Sequence, residues 1–303
     1  MAFASGSRHE LSFVAESTYG TTPGSPTMSR VRHTSDGIIL SKENYISEEI
    51  RADRQIVDAR HGTRQAGGDV AFELSYGALD AFLESAFFGT FTSDVLKVGT
   101  TVKSMTLERR FLDVNQFQTF TGCIVNTMSL NVQPNQMVTG TFGIIGKAGA
   151  NSGTSLGTPS DVATNAPFDS FSGSITEGGA TVASVSQIQL NLDNGINPAF
   201  VIGSDVTPQM IYGRSNLTGT VTAYFESTAL LSKFLDENES SLVFTLTDPD
   251  GNEYEISLPR IKYMSGENPV TSPNEAVMLT MNFQALLDAS AGSNIVITRT
   301  AAV

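Results

Sequence analysis

Apolar and polar residues alternate in short runs along most of this chain. The clearest case lies near its end, where Leu242, Phe244 and Leu246 alternate with polar neighbours. Asp248-Pro-Asp-Gly251 interrupts that run, and Tyr254, Ile256 and Leu258 resume it. A period of two on both sides of a Pro/Asp/Gly turn predicts a β-hairpin. The same period predicts strands at residues 9–14, 37–40, 68–74 and 295–298, and at Val138, Phe142 and Ile144. It also predicts one at Ile188, Leu190 and Leu192, ending at the turn Asp193-Asn-Gly195. One segment breaks the pattern: Leu79, Phe82, Leu83 and Phe87 fall at helical spacing, with Ser75 placed to cap a short helix.

These elements recur. At an offset of 151, Gly62, Gly68 and Val70 meet Gly213, Gly219 and Val221. At an offset of 152, Phe72, Ser75, Leu79, Phe82, Leu83 and Glu84 meet Tyr224, Ser227, Leu231, Phe234, Leu235 and Asp236. The hairpin matches at 137, where Met105, Leu107, Asp113, Asn115 and Phe117 meet Leu242, Phe244, Asp250, Asn252 and Tyr254. The last strand matches at 139, from Val138, Phe142 and Ile144 to Val277, Met281 and Phe283. A repeat of this length predicts two similar domains. The first copy carries 15 surplus residues around 88–101, which read as an added loop or hairpin. The resulting map is an arm at 1–35, a first domain at 36–147, a Gly/Ser/Thr/Pro linker at 148–167, and a second domain with a tail at 168–303. The arm, with Pro23 and Pro26, is expected to be extended and to order on a neighbouring subunit.

Composition agrees with a mainly β, globular chain. Its 303 residues fit about two domains, with 40 % hydrophobic residues, 27 Gly and no Trp. The net charge of −13 makes it a poor general binder of nucleic acid, since phosphate demands Lys and Arg. Cys123 is the sole cysteine, so no intrachain disulfide forms and a small buried apolar role is expected. No apolar run reaches the length of a membrane span, and no signal-peptide pattern opens the chain, so folding in a cytoplasm is expected.

Candidate chemistry is sparse. Asp248-Pro-Asp250-Gly-Asn252 invites a calcium reading, but the sixth and twelfth loop positions hold Glu253 and Pro259 instead of Gly and Glu. His9, His33 and His61 form no metal-ligand spacing. Residues 41–62 are dense in mixed charge: Glu43, Glu48, Glu49, Arg51, Asp53, Arg54, Asp58 and Arg60. The carboxylates there lie among arginines with no aromatic pocket to raise a pKa, so a charge network on a long hairpin or loop is expected rather than an acid–base pair. There is no phosphate loop and no nucleophile elbow, so no enzyme, cofactor or metal is expected.

The stretch Glu49-Ile-Arg51-Ala-Asp53-Arg54-Gln-Ile-Val-Asp58-Ala-Arg60-His61-Gly62-Thr-Arg64, followed by Gly67-Gly68 and Glu73-Leu-Ser-Tyr76-Gly77, resembles the major tail tube proteins of long-tailed bacteriophages. The branch with two tube domains per chain is the nearest in pattern. Gly122-Cys123-Ile-Val-Asn126-Thr-Met-Ser-Leu130 and the tract around Gly213-Arg214, Gly219-Thr-Val221 and Asp248 resemble it too. The resemblance implies two β-sandwich or half-barrel domains, each with a short flanking helix. It implies a hairpin directed toward a lumen or a neighbouring subunit, at 41–62 in the first domain and, with Asp193 and Asp205, at 193–213 in the second. It further implies homotrimeric rings stacked into a tube within the virion tail. The other partners would be a tape measure, a terminator and a tail tip, with DNA passing through unbound and no membrane involved. A duplicated chain fits threefold closure with six near-equivalent domains. The two hairpins differ in charge density, which favours threefold over true sixfold symmetry. A tail terminator or baseplate ring, or a glycan-binding β-sandwich, stand as alternatives.

Overall fold

The computed structural model describes residues 3–162, 164–170, 174–182 and 184–302. Residues 1–2 of the expected arm, Ala163 of the expected linker, and residues 171–173, 183 and 303 of the expected second domain lie outside the described residues.

Alternation becomes strand almost wherever it occurs. The first part of the chain forms β1 (His9–Ala15), β2 (Ser29–Arg30), β3 (Ser35–Asp36), β4 (Ile39–Ile46), β5 (Ala59–Glu73) and helix α1 (Asp80–Phe87). It continues with β6 (Val95–Lys97), β7 (Met105–Phe111), β8 (Gln116–Val132), β9 (Thr139–Gly146) and β10 (Ala148–Ser152). The second part forms β11 (Ser174–Glu177), β12 (Ala180–Thr181), β13 (Val185–Asp193), β14 (Asn197–Ala199), β15 (Gln209–Ile211) and β16 (Asn216–Tyr224). Helix α2 (Ala229–Leu235), β17 (Glu239–Thr247), β18 (Glu253–Glu267), β19 (Met278–Ala285) and β20 (Val296–Thr300) complete it. The fold is mainly β. Among the described residues no helix is long and apolar enough to cross a membrane.

All strands except the small β14–β15 pair belong to one hydrogen-bonded sheet, strongly bent because its long members switch partners partway. The first half of β8 pairs with β7 and β10, and its second half with β9 and β13. In β18 the first half pairs with β17 and β20, and the second half with β19. Ladder registers recur at the positions related in sequence. Gly68 faces Ile144 and Val70 faces Phe142, while Gly219 faces Phe283 and Val221 faces Met281. Register shifts also fall at matching places, between Val125 and Thr127 in β8 and between Tyr263 and Ser265 in β18.

One cluster of buried apolar side chains runs through both parts. Phe142 lies at its centre, stacked on Phe72 at 4.3 Å and on Phe82 of α1 at 5.4 Å. Two rings lie over cross-strand glycines: a Cβ on Gly140 would meet the Phe72 ring at 2.4 Å, and one on Gly219 would meet the Phe283 ring at 2.4 Å. Cys123 is free and fully buried, and desolvation pushes its thiol pKa far up.

Several expectations shift. Ser75 does not cap α1: it is buried in a bridge to Pro167, and a turn through Gly77 (φ +71°) intervenes before the helix begins at Asp80. Ser227 does accept the Ala229 N–H, at 3.4 Å, but Leu235 stands 68 % exposed because α2 ends there. The surplus residues include β6, which pairs with β20 of the second part. The composition-defined linker opens with a real strand, β10, whose Ala/Gly/Asn/Ser sequence shows no alternation. Within the chain, the arm packs on the first part of the sheet. Met28 and Val31 are buried, Arg30 N–H bonds Ser160 C=O at 2.8 Å, and the Glu16 carboxylate accepts from Gly20, Ser104, Thr106 and Gly122.

Replacing Phe142 with Ala removes the ring that joins α1 to the sheet, so it should cost about 3–5 kcal/mol of unfolding free energy, read by urea denaturation.

Candidate functional site

The charge-dense segment folds as a hairpin. In the β4–β5 ladder Ile39 faces Gly67, Lys42 faces Arg64, Asn44 faces His61 and Ile46 faces Ala59. At a register shift Glu43 stands against both Gly62 and Thr63, so the extra residue lies on β5. Ser47 N–H bonds Asp58 C=O at 2.9 Å and closes the tip, residues 48–57. Gly62 leaves room for the exposed Tyr45 ring, which a Cβ there would meet at 2.2 Å. Glu43, Glu48, Glu49, Arg51, Asp53, Arg54, Asp58 and Arg60 are all exposed. Arg51 donates to both oxygens of Asp53, at 2.8 Å at the shortest, and lies 3.8 Å from Glu49. That pairing lowers the Asp53 pKa and raises that of Arg51. Arg60 pairs with Asp58 at 3.0 Å. Neighbouring carboxylates thus occupy two of the hairpin's guanidinium groups. Tyr45, Ile46, Ile50, Ile56 and Val57 are exposed on the same hairpin, with Ile50 at 99 %. Exposed apolar groups gathered on one projection mark an interaction surface.

The second hairpin leaves β13 through an Asx turn, in which Asp193 Oδ1 accepts the Gly195 N–H at 2.8 Å. Buried Asn194 fixes its base. Its Nδ2 donates to Ala86 C=O at 2.8 Å and Val125 C=O at 3.2 Å, and its N–H bonds Asn126 C=O at 2.9 Å. Ile196 and Met210 then pack on Ile124 of β8 and Ile145 of β9. The hairpin therefore lies across the first part's sheet. Its outer end meets β5, where Arg64 N–H bonds Asp205 C=O at 2.7 Å and Arg64 Nε pairs with Asp205 at 3.1 Å. Asp193 and Asp205 are both exposed. The structure brings Asp205 to the base of the first hairpin but does not gather the ten expected residues into one cluster. The base residues Asn194, Ile196 and Met210 escaped the sequence reading, though the alternation running into Asp193-Asn-Gly195 marks where they begin.

A second cluster was invisible in the sequence because it joins distant positions. Asp36, whose side chain is 3 % exposed, lies 3.2 Å from His9 Nε2, 3.8 Å from His33 Nε2 and 2.5 Å from Arg109 Nε. The two rings meet edge-on at 5.5 Å. His9, His33 and Asp36 offer three metal-type ligand atoms close together. The Arg109 guanidinium already supplies positive charge to that carboxylate, so the Arg109–Asp36 ion pair, with His9 and His33 beside it, ties β1, β3 and β7. Asp248 is likewise structural: it accepts the N–H groups of Asp250 and Asn252 and closes the β17–β18 turn.

A family model described as "Phage tail tube protein" matches residues 6–285. No curated protein matches. Among solved structures, the cryo-EM structure of the anti-feeding prophage cap, a tube-terminating cap, is similar at 14 % identity and a TM-score of 0.34, covering 46 % of this chain and 97 % of that one.

Asn194→Ala would leave two buried carbonyls without their donor. Losses of about 1–3 kcal/mol per unsatisfied group predict a lower urea midpoint, with faster hydrogen exchange confined to residues 194–213. Burial is the main cause holding His9 below its ordinary pKa of 6.5; Arg109 and His33 act the same way, while Asp36 and Glu10 oppose them. The folded state therefore resists a proton that the unfolded state takes up. This contribution is present above about pH 6.5 and lost as pH falls through it. The urea midpoint should drop more between about pH 7.5 and about pH 5.5 in the wild type than in His9→Asn.

Proposed function

The chain belongs to the phage tail tube protein family, and from that membership we propose that three copies close a ring and that such rings stack into the hollow tube conducting DNA. As a member of this family it is a structural component of the virion tail that assembles with itself and with other tail proteins. The observation that carries the reading is the extent of the match, residues 6–285, which spans both parts of the sheet. A tape measure, a terminator and a tail tip are the proposed further partners.

The ring of three rests on treating the chain as two tube domains, at 36–147 and 168–303, derived from an internal duplication. Supporting this are the repeated ladder registers and the matched register shifts in β8 and β18. Six near-equivalent domains then come from three chains, and closure leaves no unpaired sheet edge.

The proposed mechanism is geometric and electrostatic, with no catalysed step. A net charge of −13 repels phosphate, so DNA slides instead of adhering. The hairpin at 41–62, with Asp193 and Asp205, is proposed to face the lumen or the adjoining subunit. Pairing of Arg51 with Asp53 and of Arg60 with Asp58 supports this, because it withholds the groups that would grip a phosphate.

Electron microscopy of the purified chain, with mass photometry, tests the reading. Hollow tubes with a regular axial repeat, or rings with the mass of three chains, are expected. Rings of six chains would keep the tube and remove the threefold arithmetic. A chain that stays monomeric at every concentration would overturn the reading.

A further inference from the structure

Within one chain, the two parts meet along a strand pair whose geometry occurs elsewhere only as two open halves. The second half of β8 pairs with β13, setting Leu130 opposite Leu190, Met128 opposite Leu192 and Thr127 opposite Asp193. The ladder ends with the Asn194 N–H on Asn126 C=O. On its far side β13 pairs with β16, with Asn191 opposite Thr218 and Leu192 opposite Leu217. β4 stands to β5 in the same way, with Ile39 opposite Gly67 and Leu40 opposite Ala66. The second half of β18 stands to β19 as that of β8 stands to β9: Ser265 and Gly266 face Asn282 and Met281 where Thr127 and Met128 face Gly143 and Phe142.

What differs is occupancy of the outer flanks. Among the described residues β4 pairs with β5 alone. The β17 ladder along β18 stops at Lys262, so among the described residues the segment 263–267 pairs only with β19. Ile39 at 59 % exposure and Met264 at 61 % lie on these two open flanks. The chain thus carries one unfilled socket and one unused strand, matching the two sides of its own internal joint.

We infer that β4 of a second copy fills the open flank of β18, antiparallel, with Leu40 opposite Gly266, Ser41 opposite Ser265 and the Lys42 N–H on Met264 C=O. This register is the internal one carried over through the two ladders, and it rests on the ring reading above. The two joints are not chemically alike. Apolar Ile196 and Met210 on Ile124 and Ile145 seal the internal joint. The corresponding positions are Asn44 and Ala59 on one copy and Lys262 and Gln284 on the other. The seam between copies is therefore held by backbone hydrogen bonds and polar contacts. An unassembled chain accordingly exposes little apolar surface at the Lys262/Gln284 face.

Cysteine cross-linking of the full chain tests the register. Residues directly opposite on antiparallel strands lie about 4.5–5.5 Å apart at Cα, within disulfide reach. The only native thiol, Cys123, is fully buried. Oxidation of assembled S41C/S265C should give covalent species up to a closed trimer on a non-reducing gel. S41C/E267C, two positions out of register, should give little. Rings seen by microscopy that cross-link through the shifted pair, or through neither, would overturn the seam and leave the ring standing. A wild-type chain that never leaves the monomer would overturn both.

Discussion

Backbone hydrogen bonding along β8 is the constraint on which the rest of the molecule depends. A strand of 17 residues presents more donors and acceptors than any one neighbour can satisfy, and buried amides must find partners. β8 meets this by holding β7 and β10 along its first half and β9 and β13 along its second. Register shifts flank the change of partners, and such irregularities bend a strand. Among the described residues the same strand is the only long ladder from the first part of the sheet to β13, and so it fixes where the second hairpin can lie. The short β6–β20 pair and the contacts of Arg299 with Asp80 and Asp94 join the two parts at further points.

Much of this was legible in the sequence, for a physical reason. A strand with one face in the core must alternate, and Leu242 to Leu258 does so without interruption except at its turn. The offsets link positions that take equivalent places in the β5–β9 and β16–β19 ladders, but which strands pair had no signal in the sequence. Other features lacked a local signal. β10 has no alternation because its residues are small and polar, and composition alone reads it as linker. β6 is three residues long and is a strand only because β20 lies beside it. Ser75 precedes a helical pattern, yet a buried bridge to Pro167 claims its backbone. His9, His33 and Asp36 meet only because β1 pairs with β7 and β3 with β5. On the hairpin the charged residues were visible in the sequence, whereas the pairings among them became so only in the structure.

The two hairpins illustrate how one framework takes on different surfaces. The second is anchored by Asn194, Ile196 and Met210 and lies down on the first part's sheet. The first has Lys42 and Asn44 at the related positions and stands away from its own chain, exposing Ile50 and Val57. The positions that anchor the second hairpin correspond to exposed ones in the first. The hairpins differ where the surrounding protein differs, while at both Gly68 and Gly219 a Cβ would meet a neighbouring strand's carbonyl, at 2.2 Å and 2.6 Å.

The alternation of sealed and polar joints also has a mechanical meaning. In a ring of three such chains, three stiff connections packed with isoleucine and methionine would alternate with three compliant ones. Bending a stacked tube would then concentrate strain at the compliant lines, one every third of the circumference. The wall would flex as hinged panels instead of deforming like a uniform pipe, and the bore could keep its shape while the tail curves.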